Sequence, residues 1–586
     1  MSFARLKVAR PIYLWSLGLS VLVQWFGVPV AHAQYGVSPS QTGLFFDDLR
    51  ARQKAEKAAT DRSGLRDGDV TYDYDSGVYR DNPEAPMGQR TADYEDAREM
   101  SRPAVHSGSA AYSARGAGDY TNYAGQYTSP TGFFAPTYVS DPYLSGRRNL
   151  KVGPINIGFG LYQGFEYNDN ANRSGGDNLA TPLVDESPIS DVISSTMLSI
   201  DANYQITRNN RLSITTALGF DHYFEHPELA PYGNGGFVLN VLPGSTLAFD
   251  IKAGPVFITI YDRMPVRPAS RNDFALGGNQ VFGVFQNDVG IAANWRVNSD
   301  WTLAVNLMHS NSDAVESSFD KFSRVTDSLH GSLTFSPNGT WSVGMEGGST
   351  VLNYKEQLNN DGLLNNIGAF VVLPVSNTTY FRLAAGYQSF TFNSPIPAAF
   401  IGPIPTRVYI NTGDQSDLSD FYYTLTLSNK LNSRVSQSFS LGHESALNVT
   451  SNYVTADFAN YGLAIIAWKG SRITLSGYVE DASSSGGVFA QDTFQYGFDG
   501  HIAHRLTSKW SMGVGYHYGM TDAFQAGQGS RPGSFEQHAF NIDFNYAMSA
   551  KANLVFGYRY YFTHVIIGGT GDFSQNRLMM AVNYNF

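Results

Sequence analysis

Seven ionisable residues carry the clearest chemical signal in this chain: Glu166, Glu346, Arg472, Glu480, Asp543, Arg559 and Arg577. Each lies in a segment where apolar and polar residues alternate, and each falls on the polar side, with small or polar neighbours two positions away. Acids and bases distributed over one wall create a transverse field that orders water and sorts charged solutes. The same side chains could instead satisfy one another across neighbouring strands. Aromatic residues on that face, such as Tyr162, Tyr478 and Tyr561, could stack on sugar rings or pack against the wall.

A second cationic group lies between Tyr261 and Phe274, where Arg263, Arg267 and Arg271 recur every four residues beside two prolines. Folded inward, a constriction loop at 263–283 would present cations to anionic solutes or sugar acids. Held outward, its arginines would meet lipopolysaccharide phosphates.

Enzymatic chemistry has little support. The sequence contains no G-x-S-x-G elbow, H-E-x-x-H pair or P-loop. Cysteine is absent, which removes thiolate metal sites, Cys nucleophiles and disulfides. His501 and His504 are three apart on a strand and so face opposite sides. Asp73-Tyr-Asp75 lacks the remainder of a calcium loop. A lipase in such a protein would need a Ser–His pair on the lipid face. The expectation is a non-enzyme without cofactor or metal.

The elements that position these residues are strands. Ile155, Ile157, Phe159, Leu161, Phe165 and Tyr167 share one face of the first, and Asn156, Gly158, Gly160, Tyr162, Gly164 and Glu166 the other. The last runs from Arg577 to Phe586, with Leu578, Met580, Val582, Tyr584 and Phe586 on the apolar side and Met579 the one apolar residue on the polar side. One lipid face and one lumen face produce this period. After the leader no stretch reaches the ~18–20 apolar residues of a membrane helix, so backbone hydrogen bonds must close between strands.

Twenty such segments can be drawn, and 18 or 22 would survive one misread hairpin. Nine connections are tight: Arg208–Asn210, Pro243-Gly244, Asn298–Asp300, Pro337–Gly339, Ser376-Asn377, Leu431–Arg434, Lys469–Ser471, Thr507–Lys509 and Ser549–Lys551. The connections between them are mostly longer, including 168–193, 225–234, 354–363, 393–418 and 522–534. This alternation matches periplasmic turns against external loops and puts both termini in the periplasm. Trp295, Trp301, Trp341, Trp468 and Trp510 all lie within a few residues of a tight turn, which suggests a periplasmic aromatic girdle.

Three domains follow. Residues 1–33 read as a signal peptide: Arg5, Lys7 and Arg10, an apolar run, then Ala31-His32-Ala33. Residues 34–150 read as a flexible periplasmic extension, with a short helix at 45–60 and a plug as the alternative to disorder. Residues 151–586 form an antiparallel up-and-down β-barrel. The formal charge of −11 becomes −14 without the three leader cations, which disfavours nucleic acid as a partner.

The stretch Leu150–Asn170, LKVGPINIGFGLYQGFEYNDN, resembles the opening strand of a β-barrel porin family of bacterial outer-membrane proteins, often linked to exopolysaccharide or exosortase systems. Tyr167, Asn168, Asp169 and Asn170 match its Tyr-[Asp/Asn]-Asp-Asn motif. Tyr584-Asn585-Phe586 is similar to the general assembly signal in which Phe586 closes the strand read by the barrel-assembly machinery. The resemblance implies a cell outer-membrane protein among lipid and lipopolysaccharide, forming a channel for small hydrophilic solutes or for export of a polysaccharide. A structural or adhesive barrel displaying loops 168–193 and 393–418 is the alternative, and a homo-oligomer stays open.

Overall fold

The computed structural model describes Val70–Asp73, Val78–Asp81 and residues 150–586, the last with gaps at 172–186, 231–234, 242–244, 265, 269–282, 315–322, 338–340, 356–359, 377, 394–399, 402–407, 410–413, 415, 448–450, 487–490, 526–532, 550 and 568–571. The signal-peptide reading and the helix expected at 45–60 lie outside the described residues.

Twenty antiparallel strands close into a barrel, from Ile155–Asn168 round to Phe573–Asn585. Each pairs with its neighbour in sequence, and the last closes on the first from Arg577↔Asn168 to Asn585↔Gly160. Closure leaves no strand edge, as a chain surrounded by lipid requires. Strands four and five each come in two pieces: Phe237–Val241 with Thr246–Ala253, and Val256–Arg263 with Val266–Pro268.

Eight of the nine expected tight turns separate strands as read. Pro243-Gly244 does not. Those two residues lie outside the described ones, but the pieces on either side pair with the same third strand, Leu218↔Val241 and Thr215↔Thr246. The chain turns instead at Gly254-Pro255, where Gly254 takes φ 62°. A Pro-Gly step signals a turn locally, but pairing on both sides makes this one an interruption within a strand.

Four short turns share one device. Asn298 Oδ1 accepts the N–H groups of Asp300 and Trp301, both at 2.9 Å. Asn432 Oδ1 does the same for Arg434 and Val435, Thr507 Oγ1 for Lys509 and Trp510, and Ser549 Oγ for Lys551 and Ala552. A side chain that mimics a backbone acceptor lets the chain reverse in two or three residues.

The outer face is apolar and uncovered. Leu161, Phe165, Leu198, Leu307, Ile367 and Phe421 are 39–71% exposed, and all share the outward parity of their strands. A continuous apolar surface of this kind marks a lipid-facing wall.

Glycines on the inner face make room for aromatic rings lying flat against the wall. A Cβ on Gly368 would stand 2.1 Å from the Tyr422 hydroxyl, and one on Gly344 2.5 Å from Phe370. Tyr162 lies over Gly164, Tyr261 over Gly290, Phe458 over Gly442 and Tyr478 over Gly497 in the same way. Tyr162 and Tyr478 therefore hug the wall.

At the long-loop end, inward residues Leu352, Leu364, Phe390 and Phe392 pack with Leu418 and Leu447 in a buried cluster. Asp414 ties the connections above them together. Its carboxylate accepts Ser416 N at 3.0 Å, Asn452 N at 2.8 Å and the Ser485 hydroxyl, while its backbone carbonyl accepts Asn360 Nδ2 at 2.7 Å.

Candidate pore wall

All seven charged residues singled out from the sequence point to the inner face. Glu166 and Arg577 face each other across the closing pair of strands, joined twice at 2.7 and 2.9 Å, with the guanidinium 5.8 Å from the Tyr561 ring centre. Tyr561 thus supports a cation. Arg577 also sits directly opposite Arg559 in the register, and Arg559 opposite Asn541.

Glu346 is the centre of a second group. Its Oε2 is 3.5 Å from Arg382 Nη2, and its Oε1 accepts the Tyr422 hydroxyl at 3.4 Å. Arg382 lies 5.2 Å from the Phe370 ring centre. Both charges are at most 5% exposed. Gly368 and Gly386 stand between Glu346 and Tyr422 in the register, and their bare backbones let the tyrosine reach across two strands.

Arg263 is the last residue of the long piece of strand five, so it belongs to the wall. Its Nη2 is 3.4 Å from Asp288 Oδ2, and Asp288 Oδ1 also accepts Ser310 Oγ at 2.6 Å. The Arg263 guanidinium is 5.1 Å from the Tyr261 ring centre, and Tyr261 donates to Asn306 at 3.1 Å. The Arg267 side chain and the whole of Arg271 lie outside the described residues.

Glu480 accepts Gln495 Nε2 at 3.1 Å, and Asp543 accepts Asn541 Nδ2 at 3.2 Å. Arg472 is half-buried on the same inner face. Sequence reasoning missed Arg382, Asp288, Arg211 and Asp250. The last two are directly opposed, and Thr259 donates to Asp250 at 2.8 Å. Their alternation was visible, but which strand lies beside which register position is not a property of spacing.

The five tryptophans stand 36–55% exposed beside the short turns. Trp301 meets Phe335 at 4.9 Å between ring centres, and Trp510 meets Tyr546 at 4.6 Å. Phe586 ends at the same rim, donating its N–H to Phe159 O at 2.9 Å.

Among the described residues one Ser–His contact occurs on the outward parity, Ser471 Oγ to His504 Nδ1 at 2.5 Å. Ser471 is 3% exposed, and the imidazole lies against Trp468 at 5.8 Å between ring centres. A buried hydroxyl offers a lipid ester no line of attack, whereas a nucleophile must reach its substrate. Among the described residues no group of three His or carboxylate side chains is arranged to hold a metal ion.

The fold and wall define a transmembrane β-barrel of the outer-membrane type. No protein-family model matches this chain, and no curated protein matches it in sequence. Solved barrels resemble it in architecture. The FrpB iron transporter from Neisseria meningitidis (F5-1 variant) is 9% identical with a TM-score of 0.46, over 76% of this chain and 83% of that one. OccAB3 of Acinetobacter baumannii is 8% identical with a TM-score of 0.37, over 73% and 99%. The copper transporter OprC is 9% identical with a TM-score of 0.43, over 75% and 84%. Similarity at this level concerns the barrel and carries nothing about cargo.

Proposed function

We propose that this protein is an outer-membrane channel for passive passage of hydrophilic solutes. The observation that carries this reading is the inner wall itself. Charged clusters at Glu166–Arg577, Glu346–Arg382 and Arg263–Asp288 stand on well-separated strands of one closed barrel, with polar and glycine positions between them. Barrels of this size leave space along the axis that wall side chains do not fill. In this reading the short turns and both barrel termini face the periplasm, the tryptophan row sits at the inner headgroup boundary, and Phe586 is read by the assembly machinery.

Polysaccharide export is the finer form of the same function. It has the opening-strand resemblance behind it, but the flat packing of Tyr162 and Tyr478 gives it no stacking track.

Planar-bilayer recording of the purified protein tests the channel. Discrete conductance steps are expected, and replacing Arg263 by Glu should move the reversal potential toward cation preference. A correctly folded barrel that stays electrically silent would leave a surface-display barrel as the better reading.

A further inference from the structure

The outward wall carries a polar row at one height. On the strand Trp301–Ala314 the outward side chains run Trp301, Leu303, Val305, Leu307 and then His309. On the next, Arg324–Phe335, they run back from Phe335 through Leu333, Gly331 and Leu329 to Asp327. In both, the change from apolar to polar falls eight residues from the short-turn rim. The same count leads from Ile155 to Gln163, from Trp295 to Asn287, from Ile465 to Asp457 and from Tyr546 to His538. Strands of one barrel share a tilt, so equal counts from one rim reach one height.

Members of the row bond to one another across strands. His309 Nδ1 meets Asp327 Oδ1 at 2.7 Å, His443 Nδ1 meets Asp457 Oδ1 at 2.8 Å, and the Tyr516 hydroxyl meets His538 Nδ1 at 2.9 Å. Asn287 donates to Asp262 at 2.7 Å. Gln163 donates to Ser194 at 3.0 Å and accepts the Thr196 hydroxyl at 2.7 Å. The His309 and Asp327 side chains are 52% and 59% exposed, so protein does not shield them. Charged groups on a lipid face are costly at mid-bilayer and cheap near its edges, which places this row at an edge. Eight residues at about 3.4 Å each, tilted by about 40°, rise about 20 Å. The row thus stands one hydrocarbon thickness from the tryptophan rim, and bacterial outer membranes are thin.

The unused imidazole nitrogens define the partner. With Nδ1 on Asp327, His309 has no hydrogen-bond partner for Nε2 among the described residues, and His538 is in the same position with Nδ1 on Tyr516. As imidazolium, His309 donates from both nitrogens, one to the carboxylate and one outward. The Tyr516 hydroxyl can donate to His538 Nδ1, which leaves Nε2–H as an outward donor even in the neutral ring. A headgroup layer offers such donors phosphate oxygens, and hydrogen bonds to an ionised acceptor are the strong kind.

We propose that this row binds the phosphates of lipid headgroups in the leaflet on the long-loop side, with His309 and His538 as donors, and that the wall between it and the tryptophans spans a hydrocarbon core of about 20 Å. The inference rests on the membrane setting of the channel reading but not on conduction, so an electrically silent barrel would leave it standing.

The chain has no cysteine, so single engineered thiols can be read in the full-length folded protein. Spin labels on Val305→Cys, His309→Cys and Asp313→Cys in phosphatidylcholine vesicles should report hydrocarbon, headgroup layer and water, in that order. A label at His309→Cys as deep as that at Val305→Cys, or as wet as that at Asp313→Cys, overturns the boundary. The phosphate contact is read separately. The double variant His309→Gln, His538→Gln should lower the urea midpoint of unfolding further in phosphatidylcholine vesicles than in vesicles of the phosphate-free lipid digalactosyldiacylglycerol. An equal fall in both lipids would mean that the two histidines serve the wall alone, and would overturn the phosphate assignment.

Discussion

Arg577 grips Glu166 with two parallel hydrogen bonds, although 411 residues separate them in sequence. The pair fastens the last strand to the first near the long-loop end, where both side chains are about 15% exposed. Bidentate charge-assisted bonds of this kind fix register as well as adding stability.

Removing one partner should therefore loosen closure. Arg577→Gln is expected to cost about 1–3 kcal/mol. The measurement is the urea midpoint of the loss of the compact, heat-modifiable gel band. An unchanged midpoint would mean that the backbone ladder alone sets closure.

The Glu346–Arg382 pair is more deeply buried, so breaking it should be worse than deleting it. Arg382→Ala leaves a buried carboxylate and should cost about 3–5 kcal/mol, whereas the double variant Glu346→Gln, Arg382→Met should recover most of that. Urea titration of the three proteins decides. Equal loss in single and double variants would show that the two side chains act separately.

A third prediction concerns the flat aromatic packing. A Cβ at Gly368 would come within 2.1 Å of the Tyr422 hydroxyl and 2.8 Å of the Ala385 carbonyl. Gly368→Ala should destabilise the barrel by about 1–3 kcal/mol, while Gly331→Ala, whose nearest atom is 3.7 Å away, should be nearly neutral. Similar midpoints for the two would remove the steric account.

Asp414 offers a test among the long connections. Its carboxylate serves donors from three connections, so Asp414→Ala should release them together while the barrel stays folded. Trypsin should then cut after Arg407 several-fold faster in intact cells or vesicles. An unchanged cleavage rate would mean that the loop is held elsewhere.

The barrel was legible because its physics is local. Alternation along Ile155–Tyr167 or Leu554–Phe562 needs no knowledge of the partner strand, and short turns recur between them. The failure at Pro243-Gly244 shows the limit of local signals: a turn-forming pair was present, but pairing with the third strand on both sides decided the outcome. The same limit hid the site. Glu346 could be placed inward from its neighbours, but Arg382 became its partner only once Gly362–Ser376 lay between their two strands, with Gly368 opposite Glu346, since register sets cross-strand contacts.

The joining of Asn585 to Gly160 also governs how the protein comes into being. Until Phe573–Asn585 is in place, most of the first strand has no mate on its far side, and the chain carries an unsatisfied edge. Ring completion demands an encounter between chain ends, which is slow for entropic reasons. A chain without Phe573–Asn585 would keep that edge open, and deleting this strand should yield an aggregating sheet in place of a closed barrel.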